Sequence, residues 1–286
     1  MPAANTRDPL GVDSLTDDAL TGSYRIWQRR RGHRYSLDDV LTAYQAARIT
    51  PAPARYLDLG CGIGSVLLMV AHKHPHAAVV GVEAQAQSFE LVTRNVQRNG
   101  QRERVSLHHG DIRDTALIDS LPGPFDVITG TPPYQPAGAG TLSPDSQRAH
   151  ARAELRGGIE VYIEAAARVL APNGRFVVCA DARQPERVIA TAQRMGFTIT
   201  ERLDAVPYAE RKAPLFSVWT LAWSLHVPAH PWSHDTFYAR NPDGSRTEAA
   251  HQLRRYFDLP VNENEAPSPP DGPRSAARRT QTGTST

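Results

Sequence analysis

Arg55-Tyr56-Leu57-Asp58-Leu59-Gly60-Cys61-Gly62-Ile63-Gly64-Ser65 is the stretch that decides the fold. A short apolar run carries an acidic residue, three glycines follow at alternate positions, and an apolar helical pattern opens at Ser65 and runs to His72. Glycine allows positive φ and lets a ligand approach the backbone. The helix that follows offers free N–H groups in its first turn. Strand, glycine turn and helix in this order make a ligand-binding unit. A dinucleotide fingerprint would need glycines at relative positions one, three and six. Counting from Gly60 meets Gly62 but then Ser65, and counting from Gly62 meets Gly64 but then Leu67, so that pattern fails in both registers.

Working outward, apolar runs predict further strands at Ala78 to Glu83, Val105 to His108, Phe125 to Thr129, Arg175 to Ala180, Phe197 to Arg202 and Leu215 to Trp223. Between them, apolar residues at helical spacing predict helices at Gln85 to Asn99, Gly158 to Leu170 and Glu186 to Met195. Gly100, Asn173-Gly174 and Gly196 read as their stops. Strands that are apolar throughout and alternate with helices predict a doubly wound α/β fold, with a sheet covered on both faces. Ligands in such folds bind beyond the carboxyl ends of the strands, where the winding reverses.

Every chemically suggestive residue falls at such an end. Glu83 closes the second strand, where a carboxylate can accept from both hydroxyls of an adenosine ribose. Asp111 and Ile112 follow the third strand, a carboxylate and an apolar side chain at the same edge of the sheet. The fourth strand ends in Gly130-Thr131-Pro132-Pro133-Tyr134. Two successive prolines fix φ and remove two donors, giving a stiff turn with an aromatic beside it.

The run Asp58-x-Gly60-x-Gly62 resembles the donor-binding loop of class I S-adenosylmethionine-dependent methyltransferases, and Thr131-Pro132-Pro133-Tyr134 resembles the [N/D/S]-P-P-[Y/F] motif of those that methylate planar amino groups. The segment Gln28-Arg29-Arg30-Arg31-Gly32-His33-Arg34-Tyr35-Ser36-Leu37-Asp38-Asp39-Val40-Leu41 resembles the Q-x3-G-[YH]-R-[FY]-S-x-D-x2-L segment of the bacterial valine-tRNA adenine-N6 methyltransferase family. The likeness runs from about residue 15 to 260, and Asn241 to Glu248 also resembles that family's late region.

This resemblance implies a Rossmann-like sheet, mostly parallel with its last strand antiparallel, S-adenosylmethionine as cofactor, and tRNA as partner. It implies that Asp58, Gly60, Gly62, Gly64, Glu83, Asp111 and Ile112 hold the donor, and that Arg34, Tyr35 and Asp38 close over its methionine end. It further implies that the Thr131 side chain and the Pro132 carbonyl accept the two amino hydrogens, while Pro133 stiffens the turn and Tyr134 stacks on the base. Threonine stands where the motif usually has Asn, Asp or Ser; its hydroxyl accepts but reaches less far, so slower chemistry is expected. Glutamine-amide methylation of a release factor, guanine-N2 methylation of ribosomal RNA and a weakly catalytic donor- and RNA-binding module are the competing readings. Release-factor enzymes carry a separate N-terminal helical bundle, and only a short region precedes Arg55 here.

The chain has 286 residues and a formal net charge of +2, so overall charge does not announce nucleic acid. Its distribution is more telling. Arg29 to Arg34, then Arg148, Arg152 and Arg156, then Arg211 with Lys212 are basic sets that could meet phosphates. The segment from Pro136 to Arg156 suits a lid or phosphate clamp. Cys61 and Cys179 lie in apolar surroundings and read as buried hydrophobes. His72, His74 and His76 read as solvated rather than metal-binding. No leader and no membrane span is apparent, so a cytoplasmic protein, with a monomer favoured, is expected. Residues 1–22 and 261–286 read as flexible tails around a single domain at 23–260, the last being rich in Pro, Ser and Thr.

Overall fold

The computed structural model describes residues 14–136, 138, 143–210, 213–227 and 231–259. In chain order the elements are β1 (Leu15–Thr21), β2 (Tyr24–Arg29), α1 (Leu37–Ile49), β3 (Arg55–Leu59), α2 (Ser65–Lys73), β4 (Ala78–Glu83), α3 (Ala86–Arg98), β5 (Val105–His109) and α4 (Thr115–Ser120). There follow β6 (Phe125–Gly130), α5 (Ser146–Arg152), α6 (Ile159–Val169), β7 (Leu170–Asp181), α7 (Pro185–Arg194), β8 (Phe197–Val206), β9 (Phe216–Trp223), β10 (Ser233–Tyr238) and α8 (Glu248–Tyr256).

Eight strands form one sheet in the order β10-β8-β9-β7-β6-β3-β4-β5. The five from β7 to β5 run parallel, and β9 is antiparallel to both β7 and β8. This is the doubly wound, mostly parallel sheet expected of a class I methyltransferase. The strand pattern follows from burial on two faces. Leu57 and Leu59, with Val127 and Ile128, are fully buried, and each such side chain contributes roughly 1.5–3 kcal/mol by leaving water. Cys61 and Cys179 are buried and free.

The winding starts at β3, moves out through β4 and β5, then returns to β6 on the other side of β3. The switch point therefore lies between β3 and β6, whose ends pair at Leu59↔Gly130. That register brings the glycine turn and the Thr-Pro-Pro-Tyr turn side by side.

Three expectations are corrected. The ordered chain starts before residue 23: β1 pairs with β2 from Leu15↔Arg29 to Thr21↔Tyr24, and Leu20 and Ile26 are fully buried. Asn95 of α3 accepts from the Trp27 backbone N–H at 2.8 Å and donates to the Trp27 carbonyl at 3.0 Å, fastening the hairpin to the domain. Second, β10 continues the sheet in parallel beside β8, so β9 is not the last strand. Only Phe237 of β10 is buried, which explains why no apolar run announced it. Third, Asn173-Gly174 does not end a helix in a loop; both lie within the long β7. The C-terminal tail at 261–286 and the Arg211-Lys212 pair lie outside the described residues. No helix among the described residues is long and apolar enough to cross a membrane.

Candidate active site

The turn after β3 is built by glycine. Gly60, Gly62 and Gly64 have φ of +63°, +56° and +89°, a region costly for side chains with a Cβ. At Gly60 a Cβ would stand 2.4 Å from the Tyr162 hydroxyl, and at Gly64 2.7 Å from Val92. At Gly62 it would meet nothing within 4 Å. Gly62 thus opens onto a cleft lined by residues of both turns, Gly60 and Cys61 on one side and Thr131 and Pro133 on the other.

Glu83, at the end of β4, reaches across to this turn. Its Oε2 accepts from the Gly62 N–H at 2.8 Å and its Oε1 from the Gln85 N–H at 2.7 Å. Burial raises its pKa, and those two N–H groups pull the other way. A carboxylate oxygen can accept a second hydrogen bond, and Glu83 lines the cleft. Asp111 and Ile112 line the same cleft. Asp111 is held by the Arg113 guanidinium, with contacts of 2.7 and 3.0 Å, and its pKa is lowered by that bond. Arg156 approaches it at 3.6 Å, so Arg156 serves the cleft wall.

Asp58 does not reach the cleft surface. It lies under the turn, fully buried, accepting from the Thr129 hydroxyl at 2.7 Å, which in turn meets the Tyr56 hydroxyl at 2.7 Å. Burial pushes its pKa up to about 7. Between its ordinary value of 3.8 and about 7, the unfolded chain has released a proton that the folded chain keeps. Stability from this group therefore falls as pH rises through that window. Thermal melting of Asp58→Asn should show a Tm that gains on the wild type from about pH 4 to about pH 7. Parallel Tm curves would contradict this.

The segment that carried the family resemblance is arranged differently from expectation. Arg34 donates to the Thr16 hydroxyl at 2.7 Å and pairs with Asp18 at 3.1 Å. The Tyr35 hydroxyl donates to the Ala19 carbonyl at 2.8 Å. Both tie the start of α1 to the β1–β2 hairpin, and neither Tyr35 nor Asp38 lines the donor cleft. His33 and Asp39 do so instead. Asp39 caps α1, accepting from the Ser36 N–H and from the Ser65 hydroxyl, both at 2.9 Å. Burial, with Asp38 adding repulsion, raises its pKa to about 8.

At the end of β6, Thr131 and Pro133 line the cleft, and the Thr131 hydroxyl has no hydrogen-bond partner among the described residues. Tyr134 is half-buried, its ring parallel to Phe216 at 6.5 Å and its hydroxyl directed to Cys179 and to Asp38. Tyr162 from α6 fills the floor between the turns; a Cβ at Gly130 would stand 2.6 Å from its ring. Tyr162 falls inside the helix predicted at Gly158 to Leu170, and nothing in the sequence singles it out.

The region after the turn supplies a roof. In α5, Asp145 caps the helix by accepting from the Arg148 N–H at 2.9 Å and pairs with the buried Arg29 at 2.9 Å. Gln147 is fully buried, donating to Ser88 at 3.2 Å and accepting from the His33 N–H at 3.2 Å. Arg29 is thus a structural tie, not a free phosphate contact. His150 and Ala151 of this helix close over the cleft. No group of three metal-ligating side chains occurs among the described residues.

Comparison with known proteins agrees with this geometry. The family model "Methyltransferase small domain" matches residues 46–201. A release factor glutamine methyltransferase of Geobacter sulfurreducens is 34% identical over 56% of this chain and 57% of its own length. A tRNA1(Val) (adenine(37)-N6)-methyltransferase of Porphyromonas gingivalis is 32% identical over 58% of this chain and 66% of its own length. The chain therefore spans less than two thirds of these relatives. A crystal structure described as an O-methyltransferase from Agrobacterium tumefaciens superposes with a TM-score of 0.60 over 79% of this chain and all of that one, at 17% identity; it speaks for the fold alone. With the matched segment covering more than half its length and the sheet wound as described, this chain belongs to the methyltransferase small domain family.

Proposed function

We propose that the protein transfers a methyl group from S-adenosylmethionine to an exocyclic amino group of a base, N6 of an adenine in tRNA. The observation that carries this reading is the adjacency of the glycine turn and the Thr131-Pro132-Pro133-Tyr134 turn, which the Leu59↔Gly130 register sets against one cleft. The residues present fit the donor. Gly62 opens a face that any Cβ would occupy, Glu83 presents both carboxylate oxygens for ribose hydroxyls, and Asp111 with Ile112 walls the adenine end.

Bound there, S-adenosylmethionine supplies a methyl carbon made electrophilic by its sulfonium. The chain's task is then to prepare the acceptor. An exocyclic amine is a poor nucleophile because its lone pair is delocalised into the ring. Thr131 and the Pro132 carbonyl accept its two hydrogens, which directs the lone pair away from the ring plane. Tyr134 holds the ring by stacking. The surplus proton leaves to solvent, and positioning rather than a strong base dominates the rate.

The free hydroxyl of Thr131 makes the departure from the usual motif testable. Thr131→Asn, which restores an amide acceptor, should raise kcat by about 2- to 10-fold, the worth of one neutral hydrogen bond. Absence of turnover in both forms, with donor still bound, would favour a binding module instead.

A second reading, methylation of a protein glutamine amide, is favoured by the Geobacter sulfurreducens relative and would use the same turn. The test is to offer tritiated S-adenosylmethionine with total tRNA, ribosomal RNA and release factor in parallel. Label in tRNA is expected. Label in release factor alone would keep the methyltransferase and overturn the acceptor.

A further inference from the structure

A second, open cleft of about 720 Å³ lies beside Tyr134. Its rim carries four arginines, Arg34, Arg148, Arg152 and Arg183, against one lining carboxylate, Asp38. Two of the four are already matched: Arg34 by Asp18 and Arg183 by Asp181. The other two are not. Among the described residues, Arg148 has no acidic partner and makes one side-chain hydrogen bond, at 3.3 Å to the Gly32 carbonyl. Arg152 has no acidic partner among the described residues, although its charge lowers the pKa of nearby His33 after burial has done most of that work.

Arg148 and Arg152 stand four residues apart on α5 and so share one face. Their mounting is rigid. Gln147, the residue before Arg148, is buried and bonded to Ser88 and to the His33 backbone. A Cβ at Gly32 would lie 2.2 Å from the Gln147 side-chain oxygen, so glycine is needed for the helix to seat. The end of α5 is also tied to the acceptor turn. The Gln135 N–H, one residue past Tyr134, donates to the Arg152 carbonyl at 2.9 Å, and the Glu154 N–H returns a bond to Gln135 at 2.8 Å. The two arginines are therefore fixed in register with the residue that would stack on the base.

We propose that Arg148 and Arg152 grip a phosphodiester of the RNA strand next to the target nucleotide. The inference rests on the reading that the acceptor is an RNA base. Unmatched guanidinium groups on an anchored helix, beside an aromatic, suit a phosphate, which takes bidentate contacts from arginine. A protein loop carrying glutamine would bring no such charge.

The test uses the full chain and a fluorescent anticodon stem-loop RNA, with anisotropy read over graded salt. Arg148→Ala/Arg152→Ala should weaken RNA binding about tenfold or more, and should flatten the log–log salt slope by roughly 1.4–1.8, the loss of two phosphate contacts. Arg175→Ala, at the other end of the sheet, should leave the slope within about 0.3 of the wild type's. Calorimetric binding of S-adenosylhomocysteine should match wild type in every variant. If the double variant loses that binding, Arg152→Ala alone, which breaks no side-chain hydrogen bond or ion pair among the described residues, should flatten the slope by about 0.7–0.9. An unchanged slope in variants that still methylate tRNA would overturn the clamp and leave the proposed reaction standing. Methyl label in release factor, with no RNA binding by the wild type, would remove both.

Discussion

Replacing Glu83 with alanine is expected to weaken S-adenosylmethionine binding about 100-fold, roughly 2.7 kcal/mol. Two effects combine. The carboxylate would accept both ribose hydroxyls, and a hydrogen bond to a charged group contributes about 1.5–3 kcal/mol. It also fixes the turn, because its Oε2 holds the Gly62 N–H where the loop opens onto the cleft. Removing it leaves the Gly62 and Gln85 donors unpaired. Glu83→Gln keeps the shape and one acceptor, so its loss should be smaller, near tenfold. Isothermal titration with S-adenosylmethionine reads both. Equal affinity in Glu83→Ala and wild type would mean that the donor does not sit across the end of β4.

The second large effect is expected at Tyr134. Tyr134→Ala should lower kcat/KM by about 10- to 100-fold, in line with roughly 1–3 kcal/mol for stacking one base on an aromatic ring. Donor affinity should change little, because Tyr134 is not among the residues lining the donor cleft. The ring also packs near Phe216, so the alanine variant leaves a gap that costs stability. Tyr134→Phe separates the two roles. It keeps the ring and loses only the hydroxyl bonds to Cys179 and Asp38, and its kcat/KM should fall by less than about tenfold. A phenylalanine variant as impaired as the alanine one would shift the role of Tyr134 from stacking to its hydroxyl.

Much of this site was legible before the structure because of one rule of the fold. Gly60, Glu83, Asp111 and Thr131 each follow a strand whose apolar run is plain in the sequence, and a doubly wound sheet gathers such ends into one crevice. What the sequence could not place was anything fixed by tertiary docking. Asp39 reads as one more acidic residue at a helix start, yet its contact with Ser65 of α2 turns it toward the cleft. Tyr162 looks like a core position of α6, and only the glycines at 60 and 130 make room for it between the two turns. Arg34 and Tyr35 were read toward the donor, but β1 captures both, through Thr16, Asp18 and the Ala19 carbonyl. That strand was itself hidden: its Thr16 and Asp18 serve Arg34, and its Asp17 pairs with Arg25 and with Arg98 of α3. β10, exposed along most of its length, escaped for the same reason. Exposed strands and long-range polar ties leave no periodic apolar signal to read.

The most direct test of the account is to methylate tRNA with tritiated S-adenosylmethionine, digest the product to nucleosides and identify the one that carries the label. Label is expected in N6-methyladenosine, reduced in Tyr134→Ala and raised in Thr131→Asn. Label in a nucleoside methylated on a ring carbon or a ribose oxygen would contradict it, because a turn built to hold two amino hydrogens has no role in either reaction.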